Sequence, residues 1–185
     1  GFEESIRSEI YVDKTELIEK INAILNTRQK FVCVSRPRRF GKSMVEDMLV
    51  AYYERDEDSS KLFDKLIISR SKSYRTHLNQ YDVIKVNMQD FLSTTQSVEE
   101  MLRKLNKYLI YDLTEEFEEV RFRDEADLIQ VMRDVFAKTR HSFIVLLDEW
   151  DCLFREYKQD AEAQRKYLDF LRAWLKDKDY VALVY

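Results

Sequence analysis

The sequence predicts an α/β fold of three layers, in which helices cover both faces of a mainly parallel sheet. Short apolar segments rich in β-branched and aromatic residues alternate along the chain with segments whose apolar residues recur at helical spacing. This alternation is typical of strands joined by helical crossovers, which make the strands parallel. With 185 residues, of which 45% are hydrophobic, residues 1–185 can form one domain with a sizeable core.

Four segments have the composition of buried strands, being short, apolar and rich in residues with high β-propensity. The third of them runs directly into a cluster of acidic residues. In chain order, the predicted strands are KFVCVS (30–35), YDVIKVNM (81–88), SFIVLLDEWD (142–151) and YVALVY (180–185).

Five helices are predicted from apolar residues spaced three and four apart. The first helix also has Asp13 and Glu16 at the spacing of a capping box. Residues 55–79 are mixed and polar, and they predict loops and short helices. The predicted helices cover residues 14–26, the residues after Gly41 up to about residue 53, a long segment from residue 98, residues 125–140 and a segment around residues 167–175.

Composition and charge argue against several classes of function. Charged residues make up 36% of the chain, but the net charge is only -4, so a direct nucleic-acid binder or a membrane-surface protein is not expected. The apolar runs are much shorter than the about 20 residues that span a bilayer, and no charged-then-apolar leader opens the chain. Cys33 and Cys152 are too few for a disulfide framework, so we expect buried free thiols in a reducing cytoplasm.

One turn concentrates the residues with special backbone properties. Pro37 is the only proline of the chain and Gly41 is the only glycine after the first residue, and both lie in SRPRRFGKS, residues 35–43. Gly41, Lys42 and Ser43 match the end of the phosphate-binding pattern G-x-x-x-x-G-K-[ST], but Arg36 stands where the pattern has its first glycine. The turn joins a predicted buried strand to a predicted helix, which is the context that a phosphate-binding loop requires. A solvated basic turn, or a clamp for a nucleic-acid backbone, is the alternative.

A second motif strengthens the interpretation as a nucleotide site. In FIVLLDE, a run of apolar residues leads directly into Asp148 and Glu149, which is the Walker B pattern. A carboxylate at the carboxyl end of a buried parallel strand faces the crevice in which ligands bind in open α/β sheets. Asp148 is therefore predicted to position Mg²⁺, and Glu149 to polarise the attacking water. Asp151 is expected to cap the next helix, and it is the alternative general base.

Three segments together resemble the AAA-ATPase-like family of mostly bacterial proteins: YVDKT (11–15), RPRRFGKS (36–43) and LLDEWD (146–151). Trp150 stands where that family usually has tyrosine, and the absent first glycine is usual in the family. The resemblance implies a P-loop NTPase of the additional-strand type, in which the fourth strand lies between the first and the third. It also implies ATP and Mg²⁺ as cofactors.

The resemblance assigns a role to each residue of the two motifs. Backbone amides from Arg38 to Ser43, including those of Arg39, Phe40 and Gly41, would cradle phosphate oxygens, and the arginines would add positive charge around the anion. Lys42 would contact the β- and γ-phosphates and act in catalysis, and Ser43 would ligate Mg²⁺ together with Asp148. Glu149 would orient the attacking water.

Several alternatives remain open at the level of sequence. The site could serve ATP hydrolysis, with an arginine finger from elsewhere, or it could be a non-catalytic nucleotide switch or partner-interaction module. Members of the family often carry a C-terminal PD-(D/E)XK nuclease-like domain; none is expected within residues 1–185, and we expect the chain to be truncated at its C-terminus, with self-association possible. Tyr11 and Asp13 are interpreted as helix entry rather than adenine contacts, and His77 and His141 as structural or solvent-exposed.

Overall fold

A computed structural model describes residues 1–35 and 41–185 of the chain. It contains α-helices, one short 3-10 helix and three strands, all of which lie in those two ranges. The helices are α1 (Phe2–Ile6), α2 (Glu16–Asn22), α3 (Lys42–Tyr53), α4 (Ser60–Phe63), the 3-10 helix Ile67–Arg70, α5 (Tyr74–His77), α6 (Met88–Ser93), α7 (Val98–Glu116), α8 (Leu128–Thr139), α9 (Cys152–Glu156) and α10 (Ala161–Leu175). The strands are β1 (Asp82–Asn87), β2 (Phe143–Asp148) and β3 (Val181–Val184).

The three strands form one parallel sheet in the order β1-β2-β3. Phe31 adds an isolated parallel bridge to Val184, on the outer side of β3. The backbone confirms this pairing, because the Val32 N–H donates to the Val184 carbonyl at 2.9 Å and the Val184 N–H donates to the Lys30 carbonyl at 2.9 Å. The α/β prediction is confirmed, and β3 lies between β2 and the segment around Phe31.

The prediction of a buried strand over residues 30–35 is wrong. Among the described residues only Phe31 forms a bridge there, and its side chain is 47% exposed. Cys33, expected to be buried, is exposed, whereas Cys152 is buried as expected. The described part of this segment pairs with β3 alone, so its apolar residues lie at an edge of the sheet instead of being covered on both faces.

The capping box predicted at Asp13 and Glu16 is also not formed. Helix α2 begins at Glu16 with Thr15 as its N-cap, and no side chain makes a capping hydrogen bond. The Asp13 carboxylate instead accepts hydrogen bonds from the Thr15 N–H at 2.9 Å and from the Ile67 N–H at 2.8 Å. Asp13 therefore connects the entry of α2 to the 3-10 helix, a long-range contact that local spacing could not indicate.

The described residues form two compact units. The first unit comprises Gly1–Lys85, Phe143–Leu146 and Ala182–Tyr185, and it contains most of the sheet. Its core is rich in aromatic side chains from α3 and the short helices, including the fully buried Tyr52, Tyr53 and Phe63. The buried Asn22 is paired with two of these tyrosines: it donates to the Tyr52 hydroxyl at 3.1 Å and accepts from the Tyr53 hydroxyl at 2.7 Å.

The second unit comprises Val86–Ser142 and Leu147–Val181, and it is mostly helical. Helices α7, α8 and α10 pack on one another, as their predicted apolar stripes require. Trp174 of α10 is fully buried, and its indole N–H lies 2.9 Å from the sulfur of Met132 in α8. Helix α8 begins later than predicted because Asp127 caps it, accepting from the N–H groups of Ile129 and Gln130. Helices α1 and α6 were not predicted.

Within the part of the chain that the structure describes, no helix has both the length and the apolar character needed to cross a bilayer.

His77 gives the first unit a pH-dependent stability. Its Nδ1 shares a hydrogen bond of 2.7 Å with the Tyr81 hydroxyl, and burial lowers the pKa of the imidazole below its ordinary value of 6.5. The unfolded chain therefore binds a proton here at a pH at which the folded chain does not, so stability is lost as the pH falls below about 6.5.

We expect His77→Gln to flatten the fall in unfolding free energy between about pH 7 and 5.5, measured by urea denaturation. His141→Gln, at an exposed position, should leave it unchanged; equal slopes for the two variants would contradict the prediction.

Candidate nucleotide-binding site

The Gly-Lys-Ser sequence lies at the start of α3, as predicted. Gly41 is the N-cap residue with φ of 79°, in the left-handed region that favours glycine, and the 12-residue helix begins at Lys42. Lys42 is half-buried and Ser43 is exposed. In the first turn of α3, all of which the structure describes, no residue is acidic. Three of the predicted phosphate-binding residues, Arg38, Arg39 and Phe40, lie outside the described residues.

A lysine that sequence analysis did not single out lies beside this helix start. A Cβ atom added to Gly41 would lie 3.4 Å from the Nζ atom of Lys14. Lys14 belongs to the YVDKT segment, and Tyr11, the first residue of that segment, packs against the core of the first unit. No spacing rule connects Lys14 to Gly41, since only the folded chain places them together.

In the second unit, Asp148 and Glu149 form a tight turn at the end of β2. Asp148 is the last residue of the strand, and its carboxylate accepts a hydrogen bond of 2.8 Å from the Glu149 N–H. Glu149 has φ of 52°, a left-handed conformation that is uncommon for a residue with a side chain. The Cys152 N–H then donates to the Glu149 carbonyl at 3.0 Å, and α9 begins. Conformations of this kind cluster at functional sites, where surrounding structure holds them in place.

Arg155 of α9 binds both acidic groups that sequence analysis offered as general bases. Its guanidinium donates a hydrogen bond to the Glu149 carboxylate and lies 3.3 Å from the Asp151 carboxylate. Asp151 is the N-cap residue of α9, as predicted, but its side chain makes no capping hydrogen bond, so it interacts with Arg155 instead. The hydrogen bond to Glu149 is the main cause that raises the pKa of Arg155 above its ordinary value.

The backbone of this turn is anchored from α10. The buried Tyr167 hydroxyl donates to the Trp150 carbonyl at 2.7 Å, and burial raises the pKa of that phenol, which keeps it protonated. The Trp150 ring packs edge-on against Phe154, with 6.0 Å between the ring centroids. Trp150 therefore contributes packing to the turn.

The two predicted motifs belong to different units. Gly41, Lys42 and Ser43 are in the first unit, and Asp148 and Glu149 are in the second. Among the residues that the structure describes, no three or more His, Cys, Asp or Glu side chains are grouped so as to hold a metal ion.

Comparison with known proteins identifies the family. The family model described as a predicted AAA-ATPase matches residues 2–181, nearly the whole chain. The chain belongs to the AAA-ATPase-like family. A search of curated proteins found no match, and a search of solved structures found none either.

The Glu149–Arg155 interaction of this AAA-ATPase-like chain can be measured as a coupling energy. Both side chains are partly exposed, at 29% and 37%, so the pair should contribute at most about 1 kcal/mol to the unfolding free energy. A double-mutant cycle of Arg155→Met and Glu149→Gln, followed by urea denaturation, should show coupling of that size.

The exposed Arg172–Asp169 pair of α10, with side chains 63% and 61% exposed, is the matched control. The corresponding cycle there should give a coupling close to zero. A Glu149–Arg155 coupling no larger than this control would contradict the contact described at the end of β2.

Proposed function

We propose that this chain is a P-loop NTPase of the additional-strand type that binds ATP with Mg²⁺. The observation that carries the proposal is the Gly-Lys-Ser sequence at the start of α3, with Gly41 in a left-handed conformation, in a chain whose family is described as a predicted AAA-ATPase. The pairing of β3 with both β2 and the segment around Phe31 supports the additional-strand assignment, because that class places its fourth strand between the first and the third.

The start of α3 has the chemistry that a polyphosphate needs. The first N–H groups of a helix have no partner within the helix, and the helix dipole makes this end positive. Lys42 adds a cation at the first helical residue, where a positive side chain is unfavourable unless an anion is nearby. A phosphate group would relieve this repulsion and accept the N–H hydrogen bonds. On this proposal Lys42 contacts the β- and γ-phosphates, and Arg38, Arg39 and Phe40 belong to the same loop.

Magnesium and water complete the proposed roles. Mg²⁺ keeps several waters and is commonly held by one or two protein groups together with substrate phosphates. Ser43 and Asp148 are the proposed protein ligands. When bound, the ion would neutralise charge on the phosphates. The hydrogen bond from the Glu149 N–H to Asp148 fixes the direction of one carboxylate oxygen. Glu149 is the proposed group that orients the attacking water.

A second function is favoured by one observation, the pairing of Glu149 with Arg155. A carboxylate held by a guanidinium is a weaker base than an unpaired one, because the positive charge stabilises its ionised form. The chain would then bind nucleotide without turning it over and would act as a switch for a partner, such as a downstream nuclease-like domain or a second copy of the chain.

Nucleotide binding is tested by a thermal melt with and without Mg²⁺-ATP. At about 100 times its Kd, a ligand adds roughly 2.7 kcal/mol to the unfolding free energy. The melting temperature of a domain of this size should then rise by roughly 5–10 °C. We expect Lys42→Ala to lose most of this shift, while Lys20→Ala, at an exposed position of α2, retains it. If Mg²⁺-ATP does not raise the melting temperature of the wild-type protein, the proposal is contradicted.

Hydrolysis is tested separately with Glu149→Gln, which keeps the shape of the side chain and removes the base. We expect ATP affinity to be retained and turnover, measured as phosphate release, to fall by about 100-fold or more. Asp151→Asn should keep most of the turnover. Loss of turnover in Asp151→Asn alone would assign the base to Asp151, and ATP binding without turnover in the wild-type protein would favour the switch.

A further inference from the structure

We propose that Lys14 is a second phosphate-binding lysine of the nucleotide site, whose ammonium group contacts the anionic oxygens of the polyphosphate together with Lys42. The inference rests on the proposed function, because it deepens the description of the same site. It assigns a role at that site to Lys14 of the YVDKT segment, in which the sequence analysis interpreted Tyr11 and Asp13 as helix entry.

The ammonium group of Lys14 lies beside the start of α3. Nζ of Lys14 would lie 3.4 Å from a Cβ atom added to Gly41. The ammonium group therefore occupies the position next to Gly41 at which the side chain of any other residue would begin. Gly41 immediately precedes Lys42 and the free N–H groups of α3. An anion bound at this helix start would therefore meet a lysine from each of two separate segments.

Hydrogen bonds of Asp13 and Thr15 fix the backbone on both sides of Lys14. Asp13 accepts hydrogen bonds from Thr15, through its N–H and its hydroxyl, and from the Ile67 N–H. Thr15 is fully buried, and its hydroxyl accepts from the Ile68 N–H at 3.1 Å. These contacts use the neighbours of Lys14 but not its own side chain. They hold the segment against the 3-10 helix and leave the lysine side chain directed at Gly41.

The ionisation of the Asp13 carboxyl group agrees with a role for Asp13 in positioning the segment and a role for Lys14 in binding the ligand. Burial acts to raise the pKa of its carboxyl group, but the hydrogen bonds from Thr15 and Ile67 outweigh burial and hold the pKa below its ordinary value. The ionised carboxylate is thus occupied by N–H and hydroxyl donors. Asp13 and Thr15 are positioning residues for the segment.

The charges around the start of α3 also favour an anionic ligand. Among the described residues, no carboxylate forms an ion pair with Lys14 or with Lys42. Both cations lie at the positive end of the α3 dipole, and this concentration of positive charge is unfavourable without a ligand. The ammonium of lysine is a compact cation with three donors, which suits the terminal oxygens of a phosphate.

Affinity measurements with matched variants test the inference. A fluorescent ATP analogue would be titrated, with Mg²⁺, into wild-type protein, Lys14→Met, Lys14→Arg, Lys42→Ala and the control Lys20→Met. Lys14→Met keeps most of the side-chain length and removes the charge, so we expect affinity to fall about tenfold or more. Lys14→Arg should recover most of the affinity, and Lys20→Met should match the wild type. Full affinity in Lys14→Met, with loss in Lys42→Ala, would overturn this inference and leave the proposed function standing.

Tripolyphosphate distinguishes a phosphate contact from a contact elsewhere on the nucleotide. If Lys14 binds phosphate oxygens, tripolyphosphate should compete with the analogue less effectively in Lys14→Met than in the wild type, by a similar factor. If Lys14→Met binds the analogue more weakly but binds tripolyphosphate as tightly as the wild type, the assignment is overturned. If wild-type protein binds neither compound, the proposed function and this inference both fall.

The melting temperature without ligand excludes a merely structural role. Removing a cation from the positive end of a helix relieves repulsion, so we expect Lys14→Met to melt at the wild-type temperature or slightly above it. The nucleotide-induced shift should shrink at the same time. A marked fall in the melting temperature of the unliganded variant would indicate that Lys14 supports the fold, which would contradict the proposal.

Discussion

The backbone hydrogen bonds of β3 are the constraint on which the first unit depends. On one side, Val184 exchanges hydrogen bonds with the segment at Lys30 and Val32, and on the other side the Tyr185 N–H donates to the Val145 carbonyl at 2.9 Å. These bonds join Val184 to Lys30 and Val32, and Tyr185 to Val145, so they connect three segments that lie far apart in the sequence. The buried Ala182 and Leu183 of the same strand belong to the core of the unit, which couples the pairing to hydrophobic burial.

A second constraint fixes α3 against the helices around it. Asn22 of α2 bonds to the hydroxyls of Tyr52 and Tyr53, and the Tyr52 hydroxyl in turn donates to the Tyr74 carbonyl at 2.8 Å. Each of these polar groups is paired, so burial of the network does not leave an unsatisfied group within it. The network holds the far end of the helix whose first residue is Lys42. It therefore supports the geometry of the helix start without contributing any group to it.

The turn at the end of β2 contains a strained backbone conformation at Glu149, and several contacts stabilise it. The left-handed conformation of Glu149 costs about 1–2 kcal/mol relative to an ordinary one. The hydrogen bond to Asp148, the interaction with Arg155 and the anchor from Tyr167 to the Trp150 carbonyl all act against relaxation of this turn. Of these contacts, only the interaction with Arg155 engages the Glu149 carboxylate itself.

The sequence by itself determined the α/β class, the long amphipathic helices, the strands at β1, β2 and β3, and the strand-end and helix-start positions of Asp148 and Lys42. These features follow from periodicity and short-range patterns, which are local properties of the chain. Only the tertiary structure decided that the segment at Phe31 is an exposed edge, that Asp13 binds the Ile67 N–H instead of capping α2, that Arg155 holds Glu149, and that Lys14 reaches Gly41. Each of these depends on contacts formed only in the folded chain, either between distant segments or through the direction a side chain takes. Local propensity carries no information about such contacts, because burial and pairing are set by the neighbours that folding supplies.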